Sequence, residues 1–85
     1  MLPSWVFDDN DRAFMAEALA EAISAAARGE VPVGAVITRN GEIIARAGNQ
    51  RQELADPSGH AELLALRAAG KIVNDWRLEN CTLYV

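Results

Sequence analysis

The sequence predicts a single small domain of the α/β class. Three observations support this prediction: an alanine-rich segment with helical periodicity over residues 11–28, two β-branched runs joined by Asn40-Gly41, and a second apolar helical segment that leads into a strand-like run at residues 81–85. The chain has 85 residues, of which 51% are hydrophobic and 24% charged. Such a composition is typical of a folded domain. We therefore expect one domain over residues 1–85.

The first element is an amphipathic helix over residues 11–28. Asp8, Asp9 and Asn10 precede it, and they supply N-cap side chains and negative charge where the helix dipole favours both. Gly29 follows it as a helix-ending residue. Apolar side chains at helical spacing predict its buried face, which consists of Met15, Leu19, Ile23 and Ala26.

Residues 31–38 and 42–48 predict two antiparallel strands. Both runs are rich in β-branched residues, and Asn40-Gly41 between them favours a type I′ hairpin because both turn residues tolerate a positive φ. Gly34 within the first strand indicates either a close approach of another backbone or a bulge. The first helix is expected to pack against one face of this pair.

A polar loop over residues 49–59 leads to a second helix, which we expect at about residues 57–69. Asp56 and Ser58 are alternative N-caps for this helix, and Gly70 closes it. Its expected buried side consists of Leu63, Leu64, Leu66 and Ala68.

Residues 71–80 form a connection, and residues 81–85 predict a third strand. Trp76 and Leu78 in the connection, and Tyr84 in the strand, are expected to pack in the core. Because a crossover helix precedes the third strand, we expect this strand to run parallel to one of the hairpin strands.

Composition and charge exclude several classes of protein. Cys81 is the only cysteine and His60 the only histidine, so the chain forms neither an internal disulfide nor a zinc site with four protein ligands. The net charge is −4, and no basic stripe indicates nucleic-acid binding by electrostatics alone. No apolar run reaches the roughly 20 residues of a membrane helix, and residues 1–9 lack the basic start and the apolar stretch that are typical of a signal peptide. The expectation is a cytoplasmic protein without membrane contact.

The tripeptide His60-Ala61-Glu62 is the segment most indicative of chemistry. A histidine in the first turn of a helix directs its ring past the helix end, and a glutamate two residues later lies on another side of the same turn, so both can border one site. A structural alternative exists for each residue. The helix dipole favours glutamate in a first turn, and a lone histidine is more often a hydrogen-bonded surface or core residue than a ligand.

His-x-Glu is also the first half of the zinc deaminase signature, whose second half is Pro-Cys-x-x-Cys. Further segments match the same enzymes in order and spacing: Val31-Pro32-Val33-Gly34-Ala35-Val36, Asn49, Asp56-Pro57, His60-Ala61-Glu62, Ala65-Leu66-Arg67, Asn74-Asp75-Trp76-Arg77-Leu78 and Thr82-Leu83-Tyr84-Val85. Together they resemble the N-terminal half of bacterial tRNA adenosine deaminases, a branch of the cytidine deaminase-like zinc hydrolases. These enzymes convert adenosine to inosine at the wobble position of the anticodon.

The resemblance implies a partial cytidine deaminase-like fold, a three-layer α/β/α sandwich made of a helix, an antiparallel hairpin, a helix and a third strand. It implies that His60 is a zinc ligand and that Glu62 carries protons between water, the purine ring and the departing ammonia. By the same resemblance Asn49 binds the flipped nucleoside, Ala61 donates its backbone N–H to the base, and Val31 forms an apolar wall. The alternative for Asn49 is a loop residue that bonds its own backbone.

The sequence departs from the family pattern at two points. It ends at Val85, before the Pro-Cys-x-x-Cys that supplies two zinc thiolates in the family, and Cys81 is not a substitute because no second cysteine follows it. We therefore expect no tight zinc site and no activity from this chain alone. Gly59 stands where the family has alanine, and it is expected to loosen the first helical turn by up to about 1 kcal/mol.

The resemblance also implies partners: the anticodon arm of tRNA as substrate, and a second copy in a homodimer of the full-length protein. Two alternatives remain open. One is a deaminase of free nucleosides or nucleobases. The other is a non-catalytic half-domain that associates through the edge of the third strand and an uncovered apolar sheet face.

Overall fold

The computed structural model describes residues 8–85, so residues 1–7 of the predicted domain lie outside it and the domain boundaries stay a prediction. Five elements follow one another: α1 (Asp9–Ala27), β1 (Gly34–Arg39), β2 (Glu42–Gly48), α2 (Ala61–Val73) and β3 (Cys81–Tyr84). The strands form one sheet in the order β2-β1-β3. α1 packs on one face of the sheet and α2 on the other, which confirms the α/β/α layering.

A capping box starts α1. The backbone N–H of Asp11 donates to Oδ1 of Asp8 at 2.8 Å, and the N–H of Asp8 donates to Oδ2 of Asp11 at 3.3 Å. The helix therefore begins at Asp9, two residues before the predicted start, because the cap is Asp8. Gly29, with φ +83°, follows the helix end as predicted.

The predicted buried face of α1 is wrong. Met15, Leu19, Ile23 and Ala26 are exposed, and the residues that contact the sheet are Ala18, Ala22 and Ala25. The cause lies in β1, where a Cβ at Gly34 would collide with the carbonyl oxygen of Ala18 and the backbone nitrogen of Ala22. The helix and strand backbones approach so closely that only small side chains fit between them.

The hairpin forms at the predicted position. Asn40 and Gly41 both have positive φ, +52° and +81°, as a type I′ turn requires. Of the two alternatives for Gly34, the structure shows the close approach of another backbone. The register shift of the strand pair lies elsewhere, between Ile37 and Thr38. β1 is the central strand: Ala35 and Ile37 pack in the cluster that contains α2, and Val36 packs in the one that contains α1.

α2 begins and ends later than predicted. Asp56 does not cap it, because its carboxylate accepts the backbone N–H of Ser58 at 2.8 Å and the Ser58 hydroxyl at 2.7 Å, which closes a local turn. His60 is the N-cap residue, and the helix runs through Gly70 to end at Asn74 with φ +57°.

The predicted buried side of α2 is also wrong. Ala61, Ala65 and Ala69 are fully buried against the sheet, whereas Leu63 and Leu66 are exposed and Leu64 and Ala68 are half-buried. The facing strand residues are Ala35, Ile37 and Ala45. As on the other face of the sheet, alanine makes the central contact and larger side chains surround it.

The direction of β3 agrees with the prediction only in part. β3 pairs with β1, and this pairing is antiparallel, with Ile37 opposite Leu83. The prediction that β3 has a parallel neighbour in the sheet is therefore wrong. Because β1 is antiparallel to both β2 and β3, the latter two run in the same direction with β1 between them. α2 thus connects two strands of equal direction that do not touch.

The connection before β3 places only one of its two expected core residues inside. Leu78 packs against the cluster around Ala35 and Ile37. Trp76 is 83% exposed, so its assignment to the core is wrong. The guanidinium of Arg77 lies 5.2 Å from the Trp76 ring centroid, and this cation–π contact stays at the surface. Within residues 8–85 no helix is long and apolar enough to cross a membrane.

Tyr84 ties the end of β3 to the start of α1. Its ring is buried, with its centroid 5.4 Å from that of Phe14, and its hydroxyl donates to Oδ1 of Asp11 at 2.6 Å. The hydrogen bond to Asp11, together with burial, raises the pKa of Tyr84 to about 12. The expectation that Tyr84 is a core residue is confirmed.

Gly34→Ala should destabilise the chain by about 1–3 kcal/mol, because the added methyl forces α1 away from β1. Gly70→Ala is the matched control. Position 70 is helical and the nearest atom to its Cβ would be the Asp75 oxygen at 3.6 Å, so alanine should stabilise by about 0.5–1 kcal/mol. Urea unfolding measures both. Equal free energies of unfolding for Gly34→Ala and the wild type would refute the close approach.

Tyr84 is the only tyrosine, so its phenolate absorbance titrates one site. In the folded chain the midpoint should lie near a pKa of about 12, and in Asp11→Ala it should fall towards the ordinary 10.0. The neutral phenol is the form that the fold stabilises. This contribution to stability is therefore complete below pH 10.0 and disappears as the pH rises through about 12. An unchanged midpoint in Asp11→Ala would contradict the bond.

Candidate functional site

The candidate site lies at the N-terminus of α2. His60 is the N-cap residue with an extended backbone (φ −79°, ψ 141°), and its side chain makes no capping hydrogen bond. Glu62 follows in the first turn. Both side chains are half-exposed, and Nδ1 of His60 lies 4.0 Å from Oε1 of Glu62. The imidazole and the carboxylate thus lie close together, and both are accessible to solvent.

Asn49 supplies the cap that His60 does not. Only 2% of Asn49 is exposed, and its Oδ1 accepts the backbone N–H of Ala61 at 2.8 Å. Its own N–H donates to the carbonyl of Val33 at 3.0 Å. The side chain therefore bonds a residue twelve positions away and not its own local backbone, and it fixes the first turn of α2 to the end of β2.

The predicted substrate contacts of Asn49 and Ala61 stay predictions. In this structure the Asn49 oxygen and the Ala61 N–H bond each other. A nucleoside that used either group would have to share or replace this bond.

Val31 lies at a separate cavity of about 390 Å³. The cavity is lined by Glu30, Val31, Arg51, Gln52, Ala55, Asp56 and Pro57. None of the other four predicted site residues lines it. The structure therefore brings His60, Glu62, Asn49 and Ala61 together at the start of α2, and it places Val31 at a cavity that none of them lines.

Glu30, which no sequence pattern indicated, is a buried carboxylate beside this loop. Glu30 is 6% exposed, and its oxygens accept the N–H of Gln52 at 3.0 and 3.2 Å and the N–H of Glu53 at 2.9 Å. Burial raises the pKa of Glu30, but the backbone N–H donors of residues 51–53 and the charge of Arg28 outweigh it and the pKa is lowered. Since the partners lie 22 and 23 positions away, no local sequence signal marks them.

Gly59 has a different role from the one predicted. It precedes α2 and is buried, so it does not loosen a helical turn. A Cβ at this position would lie 2.9 Å from the carbonyl carbon and oxygen of Gln50. Glycine here permits the close contact in which the N–H of Gln50 donates to the carbonyl of Gly59 at 2.9 Å.

The donors within residues 8–85 do not complete a metal site. Nowhere in this part of the chain do three or more His, Cys, Asp or Glu side chains cluster as a metal site requires. His60 is free of a capping bond and fits the role of a single imidazole ligand. Cys81 is half-buried on β3, and its thiol donates to the carbonyl of Glu79 at 3.5 Å. A zinc ion at His60 would need further donors from outside the described residues.

The described residues also match a known protein family. The cytidine and deoxycytidylate deaminase zinc-binding region matches residues 8–85. The chain belongs to this family. Membership in this deaminase family supports zinc as the cofactor of the fold, and it places the His60-Ala61-Glu62 tripeptide in a family defined by its zinc-binding region.

Two curated relatives resemble this chain in sequence. The chain is 51% identical over 72 residues to the tRNA-specific adenosine deaminase of Aquifex aeolicus, and the alignment covers 85% of this chain and 48% of that protein. It is 51% identical over 75 residues to the tRNA-specific adenosine deaminase of Bacillus subtilis, covering 88% and 47%. The chain thus spans about half the length of these bacterial relatives.

Solved structures confirm the cytidine deaminase-like fold. A tRNA:A34 deaminase studied for A-to-I editing at the wobble position superposes with a TM-score of 0.82 and 45% identity, covering 86% of this chain and 56% of that one. Guanine deaminase from Bacillus subtilis superposes with a TM-score of 0.84 and 34% identity, covering 92% and 49%.

Asn49→Ala should destabilise the chain by about 1–3 kcal/mol, because it leaves the buried N–H of Ala61 without an acceptor. Asn49→Asp is the matched control. It keeps an oxygen at the same position and adds negative charge at a helix N-terminus, so we expect a loss below about 1 kcal/mol. Chemical unfolding and amide exchange at Ala61 report both effects. Wild-type protection of Ala61 in Asn49→Ala would show that the bond is absent.

Proposed function

We propose that this chain forms the His-x-Glu half of a zinc-dependent deaminase that converts adenosine to inosine at the wobble position of tRNA. One observation carries the proposal: His60 and Glu62 lie 4.0 Å apart at the start of α2, in a chain 51% identical to a tRNA-specific adenosine deaminase over 85% of its length. An imidazole ligand beside a carboxylate is the arrangement that hydrolytic deamination requires.

His60 is the residue of this chain that would hold zinc. The remaining ligands would come from a segment outside residues 8–85, for which the family signature has Pro-Cys-x-x-Cys. When bound, zinc supplies a water whose pKa is lowered to about 7, so that hydroxide is available at neutral pH. The tasks that follow fall to side chains and backbone groups of this chain.

Glu62 moves the protons. Hydrolysis joins the oxygen of water to C6 of adenine and breaks the bond between C6 and the exocyclic nitrogen, which leaves as ammonia. One proton of the water must reach a purine ring nitrogen, and a second must reach the departing amine. A single half-exposed carboxylate beside the ligand can take the first proton from the water and pass it to the ring nitrogen, and then take the second from the C6 hydroxyl and pass it to the departing amine. Glu62 is therefore proposed as the catalytic acid and base.

Asn49 and Ala61 are proposed to meet the nucleoside. Their mutual hydrogen bond of 2.8 Å holds an amide oxygen and a backbone N–H, both from buried residues, at the first turn of α2. A target base must leave its stack to enter such a site, and hydrogen bonds to the base edge select it. We propose that the entering nucleoside shares or replaces the hydrogen bond between Asn49 and Ala61. We further propose that Val31 contacts a more distant part of the substrate.

We propose the anticodon arm of tRNA as the substrate and a homodimer as the assembly. Acidic and basic residues balance over residues 31–85, so this part of the chain provides little electrostatic attraction for phosphate. The phosphate contacts of a tRNA complex would then depend on other segments or on a second subunit. A cytoplasmic location stays a prediction.

Deamination of a free purine base is the second candidate. The guanine deaminase of Bacillus subtilis matches the fold as well as the tRNA:A34 deaminase does, with TM-scores of 0.84 and 0.82. The backbone therefore does not separate the two substrates. Sequence identity does favour one of them, at 34% for the guanine enzyme and 45% for the tRNA enzyme.

The test is reconstitution of the complete signature. The chain is co-expressed with the C-terminal half of the Bacillus subtilis tRNA-specific relative, which is to supply Pro-Cys-x-x-Cys, and zinc is quantified in the complex and in the chain alone. Inosine formation is measured on an anticodon stem–loop with adenosine at the wobble position. Free adenosine, adenine and guanine serve as competing substrates. We expect stoichiometric zinc only in the complex, and turnover of the stem–loop.

Glu62→Gln should lower turnover in the complex by about 10²–10⁴-fold with zinc retained, because general acid–base catalysis contributes a factor of that size. Glu42→Gln, an exposed glutamate in β2, is the control and should keep wild-type turnover. Wild-type turnover in Glu62→Gln would remove Glu62 from the reaction. Turnover of guanine without turnover of the stem–loop would replace the tRNA proposal with the second candidate.

A further inference from the structure

We propose that Glu30 is a positioning residue of the site: its buried carboxylate holds the turn at residues 50–56 and thereby fixes the loop between Asn49 and His60. The role in turnover rests on the proposed function, whereas the structural role does not. Neither the family resemblance nor the tripeptide at α2 points to Glu30, but its contacts do.

The loop contains a single helical turn without a cap of its own. The N–H of Leu54 donates to the carbonyl of Gln50 at 3.0 Å, and the N–H of Asp56 donates to the carbonyl of Arg51 at 3.0 Å. The N–H groups of Gln52 and Glu53 lie in the first turn, where no intrahelical acceptor exists. The Glu30 carboxylate accepts both. Glu30 thus provides from a distant part of the chain what an N-cap side chain provides locally.

The carboxylate is suited to this task because it uses both oxygens. Oε1 accepts from Gln52 at 3.2 Å, and Oε2 accepts from Gln52 at 3.0 Å and from Glu53 at 2.9 Å. A charged side chain that is 6% exposed is stable only when such donors compensate for lost water. Glutamine at the same position would turn an NH₂ group towards an N–H and lose at least one of these bonds.

Glu30 is itself anchored. Its backbone N–H donates to the carbonyl of Ala25 at 3.0 Å, so it is fixed to the end of α1 directly after Gly29. A second contact also links the end of α1 to the loop: Nε of Arg28 donates to the Glu53 carboxylate at 2.7 Å. That ion pair is about one-third exposed on each side and therefore contributes little. The buried contact through Glu30 is the stronger link between α1 and the loop.

The turn is coupled to the site through Gln50. The carbonyl of Gln50 closes the turn, and its N–H donates to the carbonyl of Gly59 at 2.9 Å, directly before His60. Asn49, the residue directly before Gln50, bonds Ala61. A displaced turn would therefore move Gln50 and disturb both the His60 backbone and the Asn49–Ala61 bond. Glu30 also lines the cavity of about 390 Å³ beside this loop.

Amide hydrogen exchange in the full 85-residue chain tests the structural role. In Glu30→Gln, exchange should accelerate at Gln52 and Glu53 and also at Ala61, by about 10-fold for the loss of one charged hydrogen bond. Amides in the centre of β1 should not change. Glu53→Gln is the matched control, because it removes the Arg28 ion pair but keeps the Glu53 N–H, and its exchange should match the wild type.

Unchanged exchange at Ala61 in Glu30→Gln would overturn the proposal, even if Gln52 and Glu53 lose protection, since the effect would then be confined to the turn. If Glu30→Gln fails to fold, Glu30→Asp takes its place. Aspartate keeps the charge but shortens the reach, and it should show a smaller acceleration at the same three amides. Wild-type exchange in Glu30→Asp at all three would likewise overturn the proposal.

In the reconstituted complex Glu30→Gln should raise KM about 10-fold and leave kcat within about twofold, because Glu30 orders the loop and touches no reacting atom. A fall in kcat with unchanged KM would contradict this positioning role. These outcomes separate the two proposals. Failure of the complex to deaminate any substrate overturns the proposed function, and the exchange measurements still decide whether Glu30 fixes the loop.

Discussion

Contact through alanine on both faces of the sheet is the constraint on which this structure depends. Ala18, Ala22 and Ala25 of α1 meet the sheet on one side, and Ala61, Ala65 and Ala69 of α2 meet it on the other. At Gly34 no side chain separates the backbones of α1 and β1. The layers therefore lie close together, and the positions of the helix ends follow from the position of the strands. The site residues occupy one of these ends.

Close packing of α2 leaves its N-terminus in need of partners. Ala61 is fully buried, so its N–H cannot rely on water and bonds Asn49. The loop after Asn49 contains a turn whose N–H groups also need an acceptor. Glu30, which follows the C-terminal end of α1, accepts them. The candidate site is thus held by two side-chain acceptors that replace local caps. The side chains of His60 and Glu62 take no part in this capping and stay half-exposed.

Features that depend on neighbouring residues could be predicted from the sequence. The Asn40-Gly41 turn, the Gly29 helix end and the first-turn placement of Glu62 follow from local conformational preference, and the His-x-Glu spacing pointed to the family. The buried helix faces could not be predicted, because hydrophobic periodicity gives weight to leucine and isoleucine, whereas the space beside Gly34 admits only alanine. Glu30 was missed for another reason, since its donors are 22 and 23 residues away.

The alanine contacts also determine how the packing can respond to change. Alanine has no rotamers to lose, so docking the helices costs no side-chain conformational entropy at the contact, and the larger side chains of Leu19, Leu63 and Leu66 stay exposed. The same property removes the usual means of adjustment on the helix side of the contact, because alanine cannot repack by rotating its side chain. A larger residue at position 61, 65 or 69 must shift α2 as a rigid body, and that shift carries the imidazole of His60 with it.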